Sequence, residues 1–322
     1  MIGRRDRRRA VVTGGAGFVG SHLCRRLLDD GCEVLAVDNL LSGTERNVAH
    51  LRSRPGFAFL RRDVCPPGAL ADLPGGPFDL VFHLACPASP ADYLRLPLET
   101  LETGSSGTRN ALELAARDGA RLVLASTSEV YGDPQVHPQP EDYWGHVNPV
   151  GPRSVYDEAK RYAEALVTAH RQARGTDTAI VRIFNSYGPR MRADDGRAVP
   201  TFVRQALAGE PLTVAGDGSQ TRSLCYVDDT VAGIVALAES DLAGPVNIGG
   251  GEETTVLDIA RRIVKLTGSS SPVVFVERPG DDPARRCPDT TLARKELGWA
   301  PRVGWQEGLE RTIEWFAGAS AA

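Results

Sequence analysis

Two residues that stand four apart, Tyr156 and Lys160, could remove a proton from a hydroxyl group. The segment around them is predicted to be helical, and residues four apart on a helix lie on the same face. A lysine ammonium beside a phenol stabilises the phenolate, and a phenolate near neutral pH is a usable general base. Thr127 ends an apolar segment that is predicted to be a strand, so its hydroxyl could reach the same oxygen. These residues suit removal of a proton from a sugar or alcohol hydroxyl while hydride leaves the carbon.

The Tyr-x-x-x-Lys spacing also occurs by chance on solvated helices, so its interpretation depends on the elements that precede it. Near the start of the chain an apolar run at 10–13 leads into the glycine-rich turn 14–20, and a helical pattern follows through Asp30. Strand, glycine turn and helix in this order form a dinucleotide site. The glycines let the backbone approach the pyrophosphate, and the helix N-terminus offers free N–H groups.

A second predicted strand, 33–37, ends at Asp38, close to the position along the chain expected for a carboxylate on the adenosine ribose. Such a carboxylate accepts from both ribose hydroxyls and would repel a 2′-phosphate, so NAD is predicted rather than NADP. The alternative is that Asp38 is a turn residue beside Asn39.

Further predicted strands at 57–60, 79–84 and 121–125 alternate with helical segments near 99–118 and 153–174. This alternation predicts an α/β fold with a doubly wound parallel sheet and ligands at the carboxyl ends of the strands. Most of the candidate residues fall at those ends, and Asp63 would contact the adenine amino group. The predicted cofactor residues of this region are Gly14, Gly17, Phe18, Val19, Gly20, Asp38, Asn39, Asp63, Val64, Leu84 and Cys86.

Length and composition narrow the class of protein. A chain of 322 residues can form two unequal lobes, and a net charge of −4 gives no reason to expect nucleic acid. The basic start, 4–9, is interpreted as a solvated tail. No apolar stretch is long enough to span a bilayer and no signal-peptide core is found, so we expect no membrane partner and a cytoplasmic location. The six cysteines show no C-x-x-C spacing, and neither a metal site nor a disulfide framework is predicted.

Over nearly its whole length the chain resembles the extended short-chain dehydrogenase/reductase family of nucleotide-sugar enzymes. Within that family the motifs are most similar to those of the decarboxylases that act on UDP-glucuronate. The motifs are His-Leu-Ala-Cys-Pro-Ala-Ser-Pro from 83, Thr-Ser-Glu-Val-Tyr-Gly-Asp-Pro from 127, Tyr-Trp-Gly from 143, Val-Asn-Pro from 147, Arg-Ile-Phe-Asn from 182, Gly-Pro-Arg-Met from 188, Asp-Gly-Arg from 195 and Gln-Thr-Arg from 220.

The resemblance implies an NAD-binding Rossmann domain at 1–185, to which 223–250 return, and a smaller α/β substrate lobe made of 186–222 and 251–322. It also implies a homodimer in which the helices near 99–118 and 153–174 pair across a two-fold axis.

The implied activity is that of a carboxy-lyase that recycles its NAD and converts UDP-glucuronate to UDP-xylose. Tyr156, assisted by Thr127 and Lys160, would take the C4 hydroxyl proton while NAD accepts the C4 hydride. The resulting 4-ketone lies beta to the C6 carboxylate, so carbon dioxide can leave without a metal. The resemblance further implies a catalytic Glu129 on the side of the sugar C5, and an Arg286 that holds the carboxylate and stabilises the enolate.

Other site residues also follow from the resemblance. Thr103 and Ser186 resemble family contacts to the cofactor, and Ala88 and Tyr93 contacts to the substrate. Two phosphates need cationic donors, so Arg197 is a candidate on the cofactor side, and Arg222 with Asn185 on the substrate side. Any one of these could instead be a solvated surface group.

Several alternatives stay open. Where sugar 4,6-dehydratases resemble Thr-Asp-Glu, this chain has Thr127-Ser128-Glu129, and because serine is a poor general acid, dehydration is disfavoured. A 4-epimerase, a decarboxylase that releases the 4-keto-pentose and a non-catalytic NAD-binding scaffold are the other candidates. On spacing alone, Arg285 and Arg286 would pair with Asp281 and Asp282 in a surface loop.

Overall fold

The computed structural model of the chain describes residues 7–320, so the first part of the predicted basic tail lies outside the described residues. Seven strands form one parallel sheet, in the order β11-β6-β5-β4-β1-β2-β3. Their bounds are β1 Arg9–Thr13, β2 Glu33–Asp38, β3 Phe57–Arg61, β4 Leu80–His83, β5 Arg121–Thr127, β6 Thr178–Ile183 and β11 Val246–Ile248.

Ten α-helices are found among the described residues. Some of them cover the two faces of the sheet, and the others lie in the rest of the chain. The ten helices are α1 Phe18–Asp29, α2 Pro90–Arg95, α3 Pro97–Glu102, α4 Thr108–Asp118, α5 Ser154–Arg174, α6 Ala198–Ala208, α7 Val227–Ala238, α8 Val256–Thr267, α9 Thr291–Leu297 and α10 Trp305–Ser320. None of these helices is long and apolar enough to cross a membrane.

The sheet is buried on both faces because its strands are almost continuously apolar. Ala10, Val11 and Val12 of β1 are fully buried, and β1 pairs in parallel with β2 on one side and β4 on the other. The strand order therefore reverses at β1, which is where open α/β sheets bind their ligands. Thr13, Asp38, His83 and Thr127 all lie at the carboxyl ends of strands on that edge.

The remaining strands form three two-stranded sheets. These pair β7 Ser186–Tyr187 with β10 Cys225–Tyr226, β8 Leu212–Ala215 with β13 Val273–Val276, and β9 Thr221–Ser223 with β12 Glu253–Thr255.

The predicted doubly wound α/β fold is confirmed, and the five predicted strands, now β1 to β5, lie within two residues of their predicted limits. One helix differs from the prediction. The segment expected as a single helix near 99–118 is interrupted at Thr103–Gly107 by a wider, π-helical turn. There Gly104 lies directly against α5, and a Cβ at Gly104 would come within 2.8 Å of the Cβ of Ala159.

Candidate active site

A cleft of about 1020 Å³ opens at the carboxyl edge of the sheet, beside the glycine-rich turn. Most of the predicted cofactor residues line this cleft, and so does Ala88, which was predicted to contact the substrate. The predicted residues that line it are Gly14, Gly17, Phe18, Val19, Gly20, Asp38, Asn39, Val64, Leu84, Cys86, Ala88, Thr103 and Arg197.

The glycine-rich turn has the shape of a dinucleotide cradle. Gly14 adopts a φ of +71°, and a Cβ on it would lie 2.8 Å from the backbone nitrogen of Ala85. A Cβ on Gly20 would lie within 2.1 Å of the carbonyl oxygen of Gly14, so only glycine lets α1 pack this closely on the turn. Phe18, Val19 and Gly20 at the start of α1 line the cleft, and no side chain caps this helix end, so these features fit the pyrophosphate of NAD.

Asp38 ends β2 and lines the cleft. Its Oδ2 accepts from the backbone N–H of Ala16 at 3.0 Å, and its Oδ1 accepts from that of Leu40 at 2.8 Å. Burial raises the pKa of Asp38, although these two amides oppose the rise. Asn39 also lines the cleft and donates to Asp63, which is held by the N–H of Cys65 as well.

Tyr156 and Lys160 are both buried on the same face of α5. The ammonium nitrogen of Lys160 donates to the carbonyl oxygen of Ala125 at 2.8 Å and lies 5.9 Å from the centre of the Tyr156 ring. A hydrogen bond joins Thr127 to the Tyr156 side chain. The predicted trio thus meets at the end of β5.

The pKa of Tyr156 nevertheless differs from the sequence-based expectation. Burial raises it well above its ordinary value, and the charges of Cys86 and Glu129 act in the same direction. The hydrogen bond with Thr127 and the charge of Arg197 lower the pKa by less. The protein side chains by themselves therefore favour the neutral phenol rather than a phenolate near neutral pH.

Tyr93 covers the ring of Tyr156. The two rings are stacked, and the Tyr93 hydroxyl is buried with no hydrogen-bond partner among the described residues. Burial raises the pKa of Tyr93, so this hydroxyl stays a hydrogen-bond donor at neutral pH.

Glu129 is held by two arginines. Arg286 binds both carboxylate oxygens, with Nη1–Oε1 2.6 Å and Nη2–Oε2 2.9 Å, and the Nη2 of Arg153 donates to Oε2 at 2.9 Å. Burial alone would raise the pKa of Glu129, but the charges of Arg286 and Arg153 outweigh it and hold the pKa below its ordinary value. This paired geometry keeps Glu129 ionised.

The alternative that spacing alone favoured, a surface pairing of Arg285 and Arg286 with Asp281 and Asp282, is not observed. Arg286 is only 4% exposed and pairs with Glu129, while Arg285 pairs with Glu253. The reason is that Ala284 and Arg285 are exposed and the chain is buried again at 286–288, where Arg286 lies against Glu129 in the segment after β5.

Asp282 instead binds Arg222, whose Nη2 lies 2.9 and 3.0 Å from the two carboxylate oxygens. Arg222 is thus a paired, largely buried group rather than a solvated one. Arg197 pairs with Asp195 beside the cofactor cleft.

The last two predicted residues follow β6. The Oδ1 of Asn185 is buried and has no hydrogen-bond partner among the described residues, so it could accept a bond from a ligand. The hydroxyl of Ser186 is bonded to Thr230 and to the carbonyl oxygen of Phe184.

Three residues near the site were not predicted from the sequence. Arg153 contacts Glu129, Arg190 lines the cofactor cleft, and Asp157 is buried next to Tyr156. Burial and the charge of Glu129 raise the pKa of Asp157. The one local signal for Arg153 was an arginine at the start of a helix, where a cation is unfavourable. Within 7–320 no group of three or more His, Cys, Asp or Glu side chains could hold a metal ion.

The parallel sheet, the glycine cradle and the Tyr156–Lys160 pair define a Rossmann-type, NAD-dependent class of protein. Residues 10–249 match the NAD dependent epimerase/dehydratase family, and the chain belongs to this family. The resemblance seen in the motifs is thereby confirmed.

Known proteins resemble this chain in sequence and in structure. UDP-glucuronic acid decarboxylase 1 from Danio rerio is 50% identical over 317 residues, which cover 98% of this chain and 74% of that protein. A solved dTDP-glucose 4,6-dehydratase from Streptomyces venezuelae with bound NAD is 31% identical, with a TM-score of 0.88 over 97% of this chain and 98% of that one. The UDP-glucuronic acid 4-epimerase from Bacillus cereus, solved with UDP-glucuronic acid and NAD, is 29% identical, with a TM-score of 0.86 over 97% and 99%.

Proposed function

We propose that this protein converts UDP-glucuronate to UDP-xylose, with NAD as a recycled cofactor and a 4-keto sugar as the intermediate. The observation that carries the proposal is the buried guanidinium of Arg286, which already binds one carboxylate beside Tyr156 and Thr127. A uronic acid needs such a cation for its C6 carboxylate. The identity with the decarboxylase from Danio rerio supports the same substrate.

The glycine cradle, Asp38, Val64, Thr103 and Arg197 would hold the dinucleotide. When bound, NAD supplies the acceptor and the donor of hydride. Asp63, Tyr156, Lys160 and Ser186 do not line the cleft. The proposed cofactor contacts of Tyr156, Lys160 and Ser186 rest on the family resemblance, and that of Asp63 rests on its position just after β3.

Tyr156 is the proposed acceptor of the C4 hydroxyl proton, and Thr127 orients the same oxygen through its hydrogen bond with the phenol. Lys160 is proposed to place a positive charge on the far side of the ring, while its bond to Ala125 fixes its position. Arg286 would bind the C6 carboxylate. Once C4 is a ketone, the carboxylate lies beta to it, and carbon dioxide leaves with its bonding electrons flowing into the ketone. Arg286 would then stabilise the negative charge of the enolate. Protonation at C5, return of the hydride to C4 and return of the proton to the C4 oxygen would give UDP-xylose.

Four groups are proposed to bind the rest of the substrate. The free Oδ1 of Asn185 and the free hydroxyl of Tyr93 are suited to sugar or uridine groups. Arg222 is proposed to supply a cation for the diphosphate, and Ala88, which lines the cleft, is proposed to contact the sugar.

Incubation of the purified protein with UDP-glucuronate, followed by mass analysis, tests the proposal. The expected result is loss of carbon dioxide and appearance of UDP-pentose without net NADH. Accumulating NADH with a keto-pentose would indicate a decarboxylase that stops early. An epimer of UDP-glucuronate, which has the same mass and is recognised by NMR, would indicate a 4-epimerase. Loss of water would indicate a dehydratase. Unchanged UDP-glucuronate would overturn the proposal.

We further propose the division into an NAD lobe of 1–185 with 223–250 and a substrate lobe of 186–222 with 251–322. Its support is that β11 joins the large sheet beside β6. We also propose a homodimer in which the helical segments 99–118 (α3 to α4) and 153–174 (α5) pair across a two-fold axis. The exposed Leu98 and Leu101 of α3 and Tyr162 of α5 support it. A cytoplasmic location is supported by six free cysteine thiols. Light scattering of the purified protein would test the dimer.

A further inference from the structure

Arg153 occupies a helix position that is unfavourable for a cation. It is the N-cap residue of α5, where its side chain makes no capping bond. Small polar residues are preferred at the N-cap, and the positive end of the helix dipole repels a guanidinium. Such a conflict with a local rule is expected where a residue serves a function.

The guanidinium of Arg153 is directed into the candidate site instead. Its Nη2 lies 2.9 Å from Oε2 of Glu129, its Nη1 lies 3.8 Å from Oδ1 of Asp282, and its Cζ lies 5.9 Å from the centre of the Tyr93 ring. The Arg153 side chain is only 13% exposed. The charges of Glu129 and Tyr93 and the hydrogen bond to Glu129 raise the pKa of Arg153 against the effect of burial, so it stays cationic.

Arg153 thereby closes a continuous row of alternating charges. The order is Arg286, Glu129, Arg153, Asp282 and Arg222, with each neighbouring pair in contact. The more exposed Arg278 also contacts Asp282, with its Nε 3.6 Å from Oδ2, so four guanidiniums meet two carboxylates. This excess of positive charge suits an added carboxylate.

In this row Glu129 binds both Nη groups of Arg286, and the Nε of Arg286 is buried with no hydrogen-bond partner among the described residues. Both oxygens of Glu129 lie on Arg286, so a uronate that binds Arg286 in the same bidentate manner must displace Glu129. After the exchange Arg153 is the remaining guanidinium in contact with Glu129 among the described residues.

Resting on the proposed function, we propose that Arg153 is a positioning residue for Glu129. When the uronate binds Arg286 in place of Glu129, Arg153 still binds the Glu129 carboxylate. It thereby holds this carboxylate beside the sugar and keeps it ionised. Without Arg153, a released and buried Glu129 would take up a proton and lose its orientation. The other ionisable groups that face this pair are Tyr93, Tyr156, Asp157, Arg222, Asp282 and Arg286.

The first test is kinetic and uses the NAD-loaded protein with UDP-glucuronate. Arg153→Met is expected to lower kcat roughly a hundredfold through misplacement of Glu129, with KM within about threefold of the wild type. Arg153→Lys is expected to restore part of kcat. The control is Arg161→Met on the same helix, because Arg161 bonds to the carbonyl oxygens of Val130 and Trp144 and does not touch Glu129.

A double-mutant comparison separates positioning from general damage. If Arg153 acts through Glu129, adding Arg153→Met to Glu129→Gln changes kcat by less than about threefold. A full hundredfold further loss, or an Arg153→Met kcat equal to that of the wild type, would overturn the proposal.

The pKa of Glu129 gives a readout that does not depend on turnover. Carbon-13 NMR of protein labelled at the glutamate carboxyls, with Glu129→Gln for assignment, is expected to show a higher Glu129 pKa in Arg153→Met than in the wild type. In a Tyr156→Phe background, UDP-glucuronate should raise the Glu129 pKa, and raise it further when Arg153 is also Met. An unchanged pKa in Arg153→Met sinks this inference, whereas wild-type protein that leaves UDP-glucuronate intact sinks the proposed function.

Discussion

The ring of Tyr93 lies face to face with the ring of Tyr156, with centroids 5.2 Å apart and planes 5° from parallel. Tyr93 belongs to α2, which follows the end of β4, and Tyr156 belongs to α5, which follows the end of β5. The stack therefore fixes the phenol of the proposed base against an element from a different part of the chain. It also places the free hydroxyl of Tyr93 next to the proposed sugar position.

Replacing Tyr93 separates these two contributions. Tyr93→Ala is expected to lower the free energy of unfolding by about 3 kcal/mol, because it removes a fully buried ring. Tyr93→Phe keeps the stack, so its stability should stay near that of the wild type while KM for UDP-glucuronate rises. Urea unfolding and steady-state kinetics measure the two effects. Wild-type stability in Tyr93→Ala would show that the stack does not support the site.

Removing the phenolic oxygen of Tyr156 should abolish the reaction and spare the cofactor. Tyr156→Phe is expected to lower kcat by at least about a hundredfold, since no other described side chain occupies the place of the base. NAD affinity, measured by titration, should change little. Tyr162→Phe is a matched control, because Tyr162 is an exposed residue of the same helix. Normal turnover in Tyr156→Phe would remove the phenol from the mechanism.

The carboxylate of Asp38 should decide which dinucleotide binds. Both oxygens already accept one backbone N–H each, so the side chain is held in place before any ribose arrives. Asp38→Asn is expected to weaken NAD binding about tenfold, since a bond to a charged acceptor contributes about 1.5 kcal/mol or more. The preference for NAD over NADP should narrow as well. Calorimetric titration with both dinucleotides tests this, with the exposed Asp30→Asn as control, and an unchanged preference would contradict it.

The sequence predicted the large sheet and the cofactor cleft well because both depend on local patterns. The apolar run of β1, the glycines of the turn and Asp38 at the end of β2 lie within one strand–helix–strand unit. Nearly every predicted cofactor residue on the first four strands lines the cleft for that reason.

Contacts between distant parts of the chain could not be predicted in this way. Arg286 and Glu129 are 157 positions apart, and spacing alone paired Arg286 with a nearby aspartate instead. No sequence motif identified Arg153. Its partners Glu129 and Asp282 come from two segments, one before and one after it in the chain, so the sequence near Arg153 does not indicate them. The raised pKa of Tyr156 was also not predicted. It results mainly from burial, and the four-residue spacing of Tyr156 and Lys160 does not show how deeply the phenol is buried.

The buried His83 is expected to lower the free energy of unfolding as the pH falls. It ends β4, is buried, and is hydrogen-bonded to Thr13 through Nδ1 at 2.8 Å and to Thr108 through Nε2 at 3.2 Å. Burial, with the charge of Lys160, lowers the pKa of His83 to about 3. In the unfolded chain His83 has its ordinary pKa of about 6.5. Between about pH 6.5 and pH 3 the unfolded chain therefore binds a proton that the folded protein does not bind.

The stability that neutral His83 provides is therefore complete above about pH 6.5 and is lost as the pH falls from there toward about 3. At pH 5 the loss from this one group should be about 2 kcal/mol. His83→Gln is expected to be less stable at pH 7 yet to lose less stability between pH 7 and pH 5. Urea unfolding at the two pH values measures the difference. Thr108→Val is the control, because it removes one partner and keeps the titrating ring, so it should retain the wild-type pH dependence. Equal losses in His83→Gln and in the wild type would mean that His83 is not the group responsible.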